Sequence, residues 1–402
     1  MKTLRKTIQE VSGEGIVKSL KPQEEYTLFD EEVYVCTHAY VAASGSKMAQ
    51  AYVWAGEKAT APHVEAAQNA ARVTVRKEGA TAPIQVHRQG HEPADLLEAL
   101  GGIMVTRRGE RERAPKQYML CGRKHLGHIV FDEVDFAITS VCPGFAYLIS
   151  YPVTLQQTKL YLWKGPACST EEISAARLAA MDLSETGEII EVSNGAEFAS
   201  FLKIFGPATT KAAIPKPTTL WTAKTAAPDR FATHLFRIQP AEVKAGLFTA
   251  MFSRRPSWSR APPPADDPVP KIEANEISPF TQSDLESEGI YILDASSELY
   301  VLIGPLFSSV QPETTRNALL AQALLFASDY GIMAASMQDR PAIPKARVVF
   351  SGMPEDVKAL FRFWNGRKGL WGTGGLMAGS GNRGMSGLRV VDVDEVVRAV
   401  CR

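Results

Sequence analysis

Three stretches of this chain run through the same order of apolar and polar positions. An apolar strand is followed by a second strand closing on glycine, a helix, a third strand, a glycine turn and a short apolar helix. In the first stretch, Glu32 to Ser44 and the segment ending at Gly56 alternate roughly every second residue, as a hairpin does. Pro62 to Lys77 then has Ala and Val at helical spacing, with Pro suited to a first turn. Ile84 to Gly90 reads as a strand, and Pro93 to Gly102 as a helix stopped by glycine.

The second stretch repeats this with Phe145 to Val153, the strand ending at Gly165, and a helix over Ser169 to Asp182 that opens with the capping-box pattern Ser-Thr-Glu-Glu. A strand ending at Gly195 and a short helix ending at Gly206 follow. The third has Gly289 to Ser296, a strand ending at Gly304, a helix over Pro312 to Asp329, a strand ending at Gly352 and a helix over Pro354 to Trp364. A bulky apolar residue two places before glycine closes each second strand: Trp54, Trp163 or Leu302.

Composition marks the joins. Thr106 to Gln117 is charged and turn-rich, and Gly206 to Asp229 is rich in Pro, Thr and Ala, as linkers are. The expected division is one module over 1–110, a second over 118–206, a linker over 207–229, and a third over 230–402 with Pro- or Gly-rich insertions at 253–270 and 369–387.

Charge changes the picture by exclusion. Lys plus Arg and Asp plus Glu are 44 each, so no net field draws the chain to nucleic acid. Five scattered cysteines with no CxxC pair point to reduced thiols and a cytoplasmic setting. The N-terminus lacks a signal-like apolar core, and no run approaches the ~18 uninterrupted apolar residues of a membrane span, so no transmembrane segment is expected. Cys121, His125, His128 and Asp132 lie close together, but their spacing fits no structural zinc pattern. The Gly372 to Gly381 run lacks the Lys-Ser/Thr ending of a phosphate cradle. No nucleophile-and-base arrangement stands out, and an enzyme is the least favoured class.

The strings Tyr52-Val53-Trp54-Ala55-Gly56, Arg88-Gln89-Gly90-His91-Glu92-Pro93 with Leu100-Gly101-Gly102, and Tyr161-Leu162-Trp163-Lys164-Gly165 resemble the gelsolin/villin/severin repeat, especially the C-terminal gelsolin repeats of fungal proteins. The resemblance implies an α/β chain of the α+β type: three tandem gelsolin-like domains, each a central mixed sheet between one long and one short helix. It also implies an actin-binding protein of the cytoplasmic actin cytoskeleton that meets filament sides or barbed ends, capping them, with severing as a further expectation. The alternative is a gelsolin-fold scaffold that has lost actin and serves another assembly, as similar modules do in vesicle-coat subunits.

By position, the resemblance puts actin contacts on the three long helices, with Val64, Ala67, Ala71, Arg72 and Arg177 as candidate residues. A helix laid in a groove needs apolar anchors on an exposed face, whereas the same small residues could simply cover the sheet. Family calcium sites pair an acid before the first core strand with a glutamate on the long helix. Here that pairing is damaged: Glu32 and Glu65 form the nearest pair, Glu172 faces Phe145 at the acid's place, and Glu313 faces Gly289. No cofactor is required on this reading, and calcium binding should be weak or absent. Arg107 and Arg108 in one join, and Arg254, Arg255, Trp258 and Arg260 in the insertion, are candidates for phosphoinositides or another acidic surface.

Overall fold

The computed structural model describes residues 2–77, 83–154, 157–184, 186–241, 271–365, 371 and 388–400. The chain separates into two compact units. The first comprises Met1–Phe231 with the short segments Pro279–Thr281 and Phe361–Trp364, and the second the remainder of Ala232–Arg402.

In the first unit the elements are β1 (Lys2–Val11), β2 (Val17–Ser19), β3 (Thr27–Phe29), β4 (Val33–Val41), β5 (Lys47–Ala55), α1 (Ala61–Lys77), β6 (Ile84–Arg88), α2 (Ala94–Ala99) and β7 (Ile103–Arg107). They continue with β8 (Tyr118–His125), β9 (His128–Val134), β10 (Ala146–Pro152), β11 (Thr158–Lys164), α3 (Thr170–Leu183), β12 (Ile189–Ser193), α4 (Ala199–Lys203) and α5 (Thr219–Ala226). A five-stranded sheet has the order β2-β1-β4-β5-β6, and a seven-stranded sheet the order β12-β11-β10-β8-β9-β7-β3.

The second unit holds β13 (His234–Pro240), β14 (Ile272–Ile277), β15 (Ile290–Asp294), β16 (Glu298–Ile303), α6 (Glu313–Met337), β17 (Lys345–Ser351), α7 (Glu355–Lys358), β18 (Arg389–Asp392) and α8 (Val393–Val400). Its six strands run β14-β13-β15-β16-β17-β18.

All three sheets are mixed and contain one shared four-strand block. An antiparallel lead strand (β1, β8 or β13) pairs with a hairpin (β4-β5, β10-β11 or β15-β16), and a strand after the long helix (β6, β12 or β17) pairs in parallel with the hairpin's second strand. A parallel pairing needs a crossover connection, and α1, α3 and α6 supply it. The expected repeated order is therefore a repeated topology.

The glycine that closes each hairpin occupies an equivalent node. The Gly56, Gly165 and Gly304 amides donate to the Glu32, Phe145 and Gly289 carbonyls, at 3.0, 3.2 and 2.9 Å. Two residues on, the Lys58, Ala167 and Leu306 amides donate to Asp30, Pro143 and Ser287. A Cβ on any of the three glycines would come within 2.2–2.3 Å of that last carbonyl oxygen, so the backbones approach too closely for a side chain.

Each long helix covers one face of its sheet. Val64, Ala67, Ala71 and Val75 of α1 are buried, the first three in a core with Val11, Val35 and Val53. Ala175, Ala176, Ala179 and Ala180 of α3 pack on Leu148 and Leu162. In α6, Leu319, Ala323, Leu324 and Ala327 pack on Ile292 and Val301.

The structure departs from the sequence reading in four places. The expected break at 110–118 falls inside one sheet, because β3 and β7 join the second sheet through parallel pairing of β7 with β9. The expected linker 207–229 contains α5, whose Leu220 and Trp221 are fully buried, because its apolar residues supply contacts that a solvated linker would not. Residues 2–11 form a ten-residue strand with no clear alternation to announce it. Finally, α6 has an 18-residue window apolar enough to cross a membrane by length and composition, with 39% of it buried. Insertion 253–270 lies outside the described residues, as does 369–387 apart from Trp371.

Candidate functional site

The tryptophan strand and the glycine turn that follows the crossover are one device. Trp54 Nε1 donates to Glu92 Oε1 at 2.8 Å, and the Gly90 amide donates to the same oxygen at 2.9 Å. Trp163 Nε1 and the Gly195 amide do the same to Glu197, each at 3.0 Å. A buried indole needs an acceptor and a buried carboxylate needs donors, so the residues between Trp and Gly-x-Glu set a closed hydrogen-bond loop. In the second unit Leu302 and Pro354 stand at the two places, so the indole and the carboxylate are absent together.

Glu92 is fully buried, and its other oxygen accepts Arg362 Nη1 at 2.9 Å. Arg362 also donates from Nε and Nη2 to Asp132, both at 2.9 Å. Two carboxylates thus flank one guanidinium that is 2% exposed. Nothing in the sequence singled out Arg362, since its partners lie 230 and 270 residues earlier. Asp132 is thereby committed to an ion pair, and Cys121 accepts from Arg123. Among the described residues no group of three or more His, Cys, Asp and Glu is placed to hold a metal.

The calcium candidates are engaged otherwise. Glu32 is buried; Oε1 accepts from the Arg111 amide at 2.7 Å and Oε2 from the Tyr34 hydroxyl. Burial pushes its carboxyl up, while these hydrogen bonds oppose the rise. Glu65 is exposed on α1. Seven residues after Gly56, where the second module has Glu172, stands His63, its Nε2 2.5 Å from the Val11 carbonyl. Glu172 is 1% exposed and closes the capping box with Ser169, as its sequence promised. It also meets Lys224 Nζ at 2.8 and 3.1 Å.

The structure also moves the candidate contact surface. Val64, Ala67 and Ala71 lie in the core, because α1 points its small residues at the sheet, and they are not open anchors. Arg72 is exposed and donates to Asn69, and Arg177 makes a two-point pair with Glu191 that holds the Glu191 carboxyl down at about 2. The groove of about 730 Å³ beside α1 is lined by polar residues such as Arg5, Gln9 and Asn69 and by apolar ones such as Val17, Ala70 and Val73. On α3 only Leu178 and Met181 are large, apolar and exposed. On α6 there are four: Leu325 at 60%, Ile332 at 57%, Met333 at 49% and Met337 at 78%. They fall at i, i+7, i+8 and i+12, on the side of the helix away from the packed Leu324, Ala327 and Ala334, with the exposed Asp329 and Ser336 between them.

The basic candidates divide. Arg107 is buried: it donates to Glu133 at 2.7 Å and lies 3.6 Å over the Tyr118 ring, so it offers no lipid-facing charge. Arg108 is half exposed and pairs with Asp135. Arg254, Arg255, Trp258 and Arg260 lie outside the described residues.

Residues 271–355, which span β14 to the start of α7, match the gelsolin repeat family. Residues 7–108 match a domain of unknown function (DUF7904). Gelsolin of Drosophila melanogaster is 23% identical over 313 residues, covering 73% of this chain. The chain spans about a third of that relative's length, at 32%. Among solved structures, a Thorarchaeota 2DGel3 protein crystallised in a complex with rabbit actin is 16% identical, with 50% of this chain and 99% of that chain covered at a TM-score of 0.19. The gelsolin repeat match thus falls on residues 271–355, in the sheet whose four-strand block and crossover helix recur in the other two sheets.

Proposed function

We propose that the chain is an actin-binding protein of the gelsolin type, working in the cytoplasm on filament sides or barbed ends. The observation that carries this reading is the unpartnered apolar side of α6, in the segment that matches the gelsolin repeat. Leucine, isoleucine and methionine side chains standing in water at adjacent helical positions form a helix-in-groove ligand, for which a hydrophobic cleft is the complementary surface. Methionine tolerates an imprecise fit, which suits a contact that must form and release.

Capping follows from this reading if the helix seats in a cleft that only a filament end exposes. Severing needs a second contact on a neighbouring subunit, for which Leu178 and Met181 of α3 are the next apolar pair. Calcium regulation is weak or absent on this reading, since the oxygens of Glu32 and Glu172 already have donors. Co-sedimentation with filamentous actin at micromolar concentration, with and without calcium, is the test. Pelleting in both conditions supports the proposal. A chain that stays in the supernatant at every calcium level sinks it, and points to a gelsolin-fold scaffold for another assembly.

A further inference from the structure

We propose that Lys224 is a built-in cation: its ammonium fills the oxygen cage at the start of α3 and makes the second module independent of a free metal ion. Lys224 is 3% exposed, and its Nζ lies 2.6 Å from the Gly144 carbonyl oxygen and 2.8 and 3.1 Å from the two Glu172 oxygens. An ammonium has three N–H donors, and these three oxygens satisfy them. Glu172 also accepts from the Ser169 amide at 2.7 Å.

The site does not fit a calcium ion, which takes six to eight oxygens. The equivalent nodes at Gly56, Gly165 and Gly304 align Phe145 with Glu32 and Gly289, so this module has an aromatic ring where an acid would complete the cage. That ring serves the lysine instead, with its centroid 4.6 Å from Nζ, and Phe231 lies 5.8 Å away on another side. A ring face attracts a monovalent ammonium but gives a hard dication no ligand. One Glu172 charge balances one Lys224 charge, so a buried dication would meet an uncancelled positive neighbour.

The lysine reaches the cage because α5 is docked. Trp221, one turn earlier on the same helix, is fully buried with its ring 5.4 Å from Phe145. A Cβ at Gly144 would stand 2.3 Å from that indole, so the glycine both admits Trp221 and offers the carbonyl that Lys224 binds. The segment that composition marks as a linker therefore carries the module's own ligand. This inference does not depend on the actin reading.

The test is thermal unfolding of the full chain in EDTA, in millimolar calcium chloride and in millimolar n-butylammonium chloride. Lys224→Ala should lower the midpoint, and the alkylammonium should raise it again by roughly 3 °C or more while calcium does not. That gain should vanish in Lys224→Ala combined with Glu172→Gln. If Lys224→Ala does not fold, Lys224→Ser takes its place, because its hydroxyl and the water admitted beside it leave Glu172 solvated. A truncated variant that does not respond to the alkylammonium, or that calcium restores equally well, overturns the proposal. So does a calcium response of the native chain that Glu172→Gln abolishes, since calcium would then enter despite Lys224.

Discussion

Arg362 and Asp132 form a bidentate pair, both contacts at 2.9 Å, across 230 residues of chain, with Asp132 fully buried and Arg362 nearly so. Glu92 takes the remaining guanidinium edge while receiving the Trp54 indole. The signature hydrogen bond of the first module is thus supported by a side chain supplied from near residue 360.

Removing that guanidinium strands two buried carboxylates. Arg362→Met should therefore destabilise the first unit by about 3–5 kcal/mol. Adding Asp132→Asn should recover part of the loss, because one stranded charge is then gone. Urea unfolding followed by Trp fluorescence checks both, and a single variant as stable as the native chain would contradict the buried triad.

The hairpin-closing glycines are a steric prediction. Gly165→Ala puts a Cβ 2.3 Å from the Pro143 carbonyl oxygen. Backbone must shift to relieve it, at a cost of about 1–3 kcal/mol or more. Gly13→Ala, where nothing lies within 4 Å, is the control and should change stability by less than about 0.5 kcal/mol. Equal thermal midpoints for the two variants would refute the node.

The apolar side of α6 separates binding from folding. Leu325→Asp with Met333→Asp should reduce actin co-sedimentation at least tenfold while leaving the thermal midpoint near the native value, since both side chains are already in water. Val64→Asp should instead unfold the first unit, because that side chain is in the core. Unchanged pelleting by the α6 variant would remove this helix from the proposed contact.

His125 predicts a pH response. Burial, with Arg362, Arg123 and His128 nearby, pushes its imidazole down to about 2, and Nε2 has no hydrogen-bond partner. The unfolded imidazole titrates near 6.5, so below that pH the unfolded chain binds a proton that the folded chain refuses. Stability is fully present above pH 6.5 and falls on acidification by up to about 1.4 kcal/mol per pH unit. His125→Gln should flatten that slope between pH 6.5 and 5 in urea titrations, and an unchanged slope would show that other groups govern it.

Much of the fold was legible because it is local. Strand alternation, the Ser169 capping box and the small-residue face of α1 each depend on neighbours within a turn or a hairpin. The Trp-to-Gly-x-Glu spacing was visible too, although its meaning as one hydrogen-bond loop was not. Glu172 stood out by its spacing from Gly165 as a damaged calcium position on a solvated helix, whereas the lysine that it meets was hidden in a stretch that composition assigns to a linker. Residues 2–11 were missed because a strand whose neighbours are distant needs little pattern of its own.

The sequence by itself determined the three strand-helix-strand blocks, since periodicity dictates which side of each element seeks a core. Only the tertiary structure decided which charges are spent inside: Lys224 on Glu172, Arg362 on Asp132 and Glu92, Arg107 on Glu133. A charged side chain reads the same in sequence whether it faces water or a buried partner. Desolvation separates the two cases, and it depends on residues far along the chain.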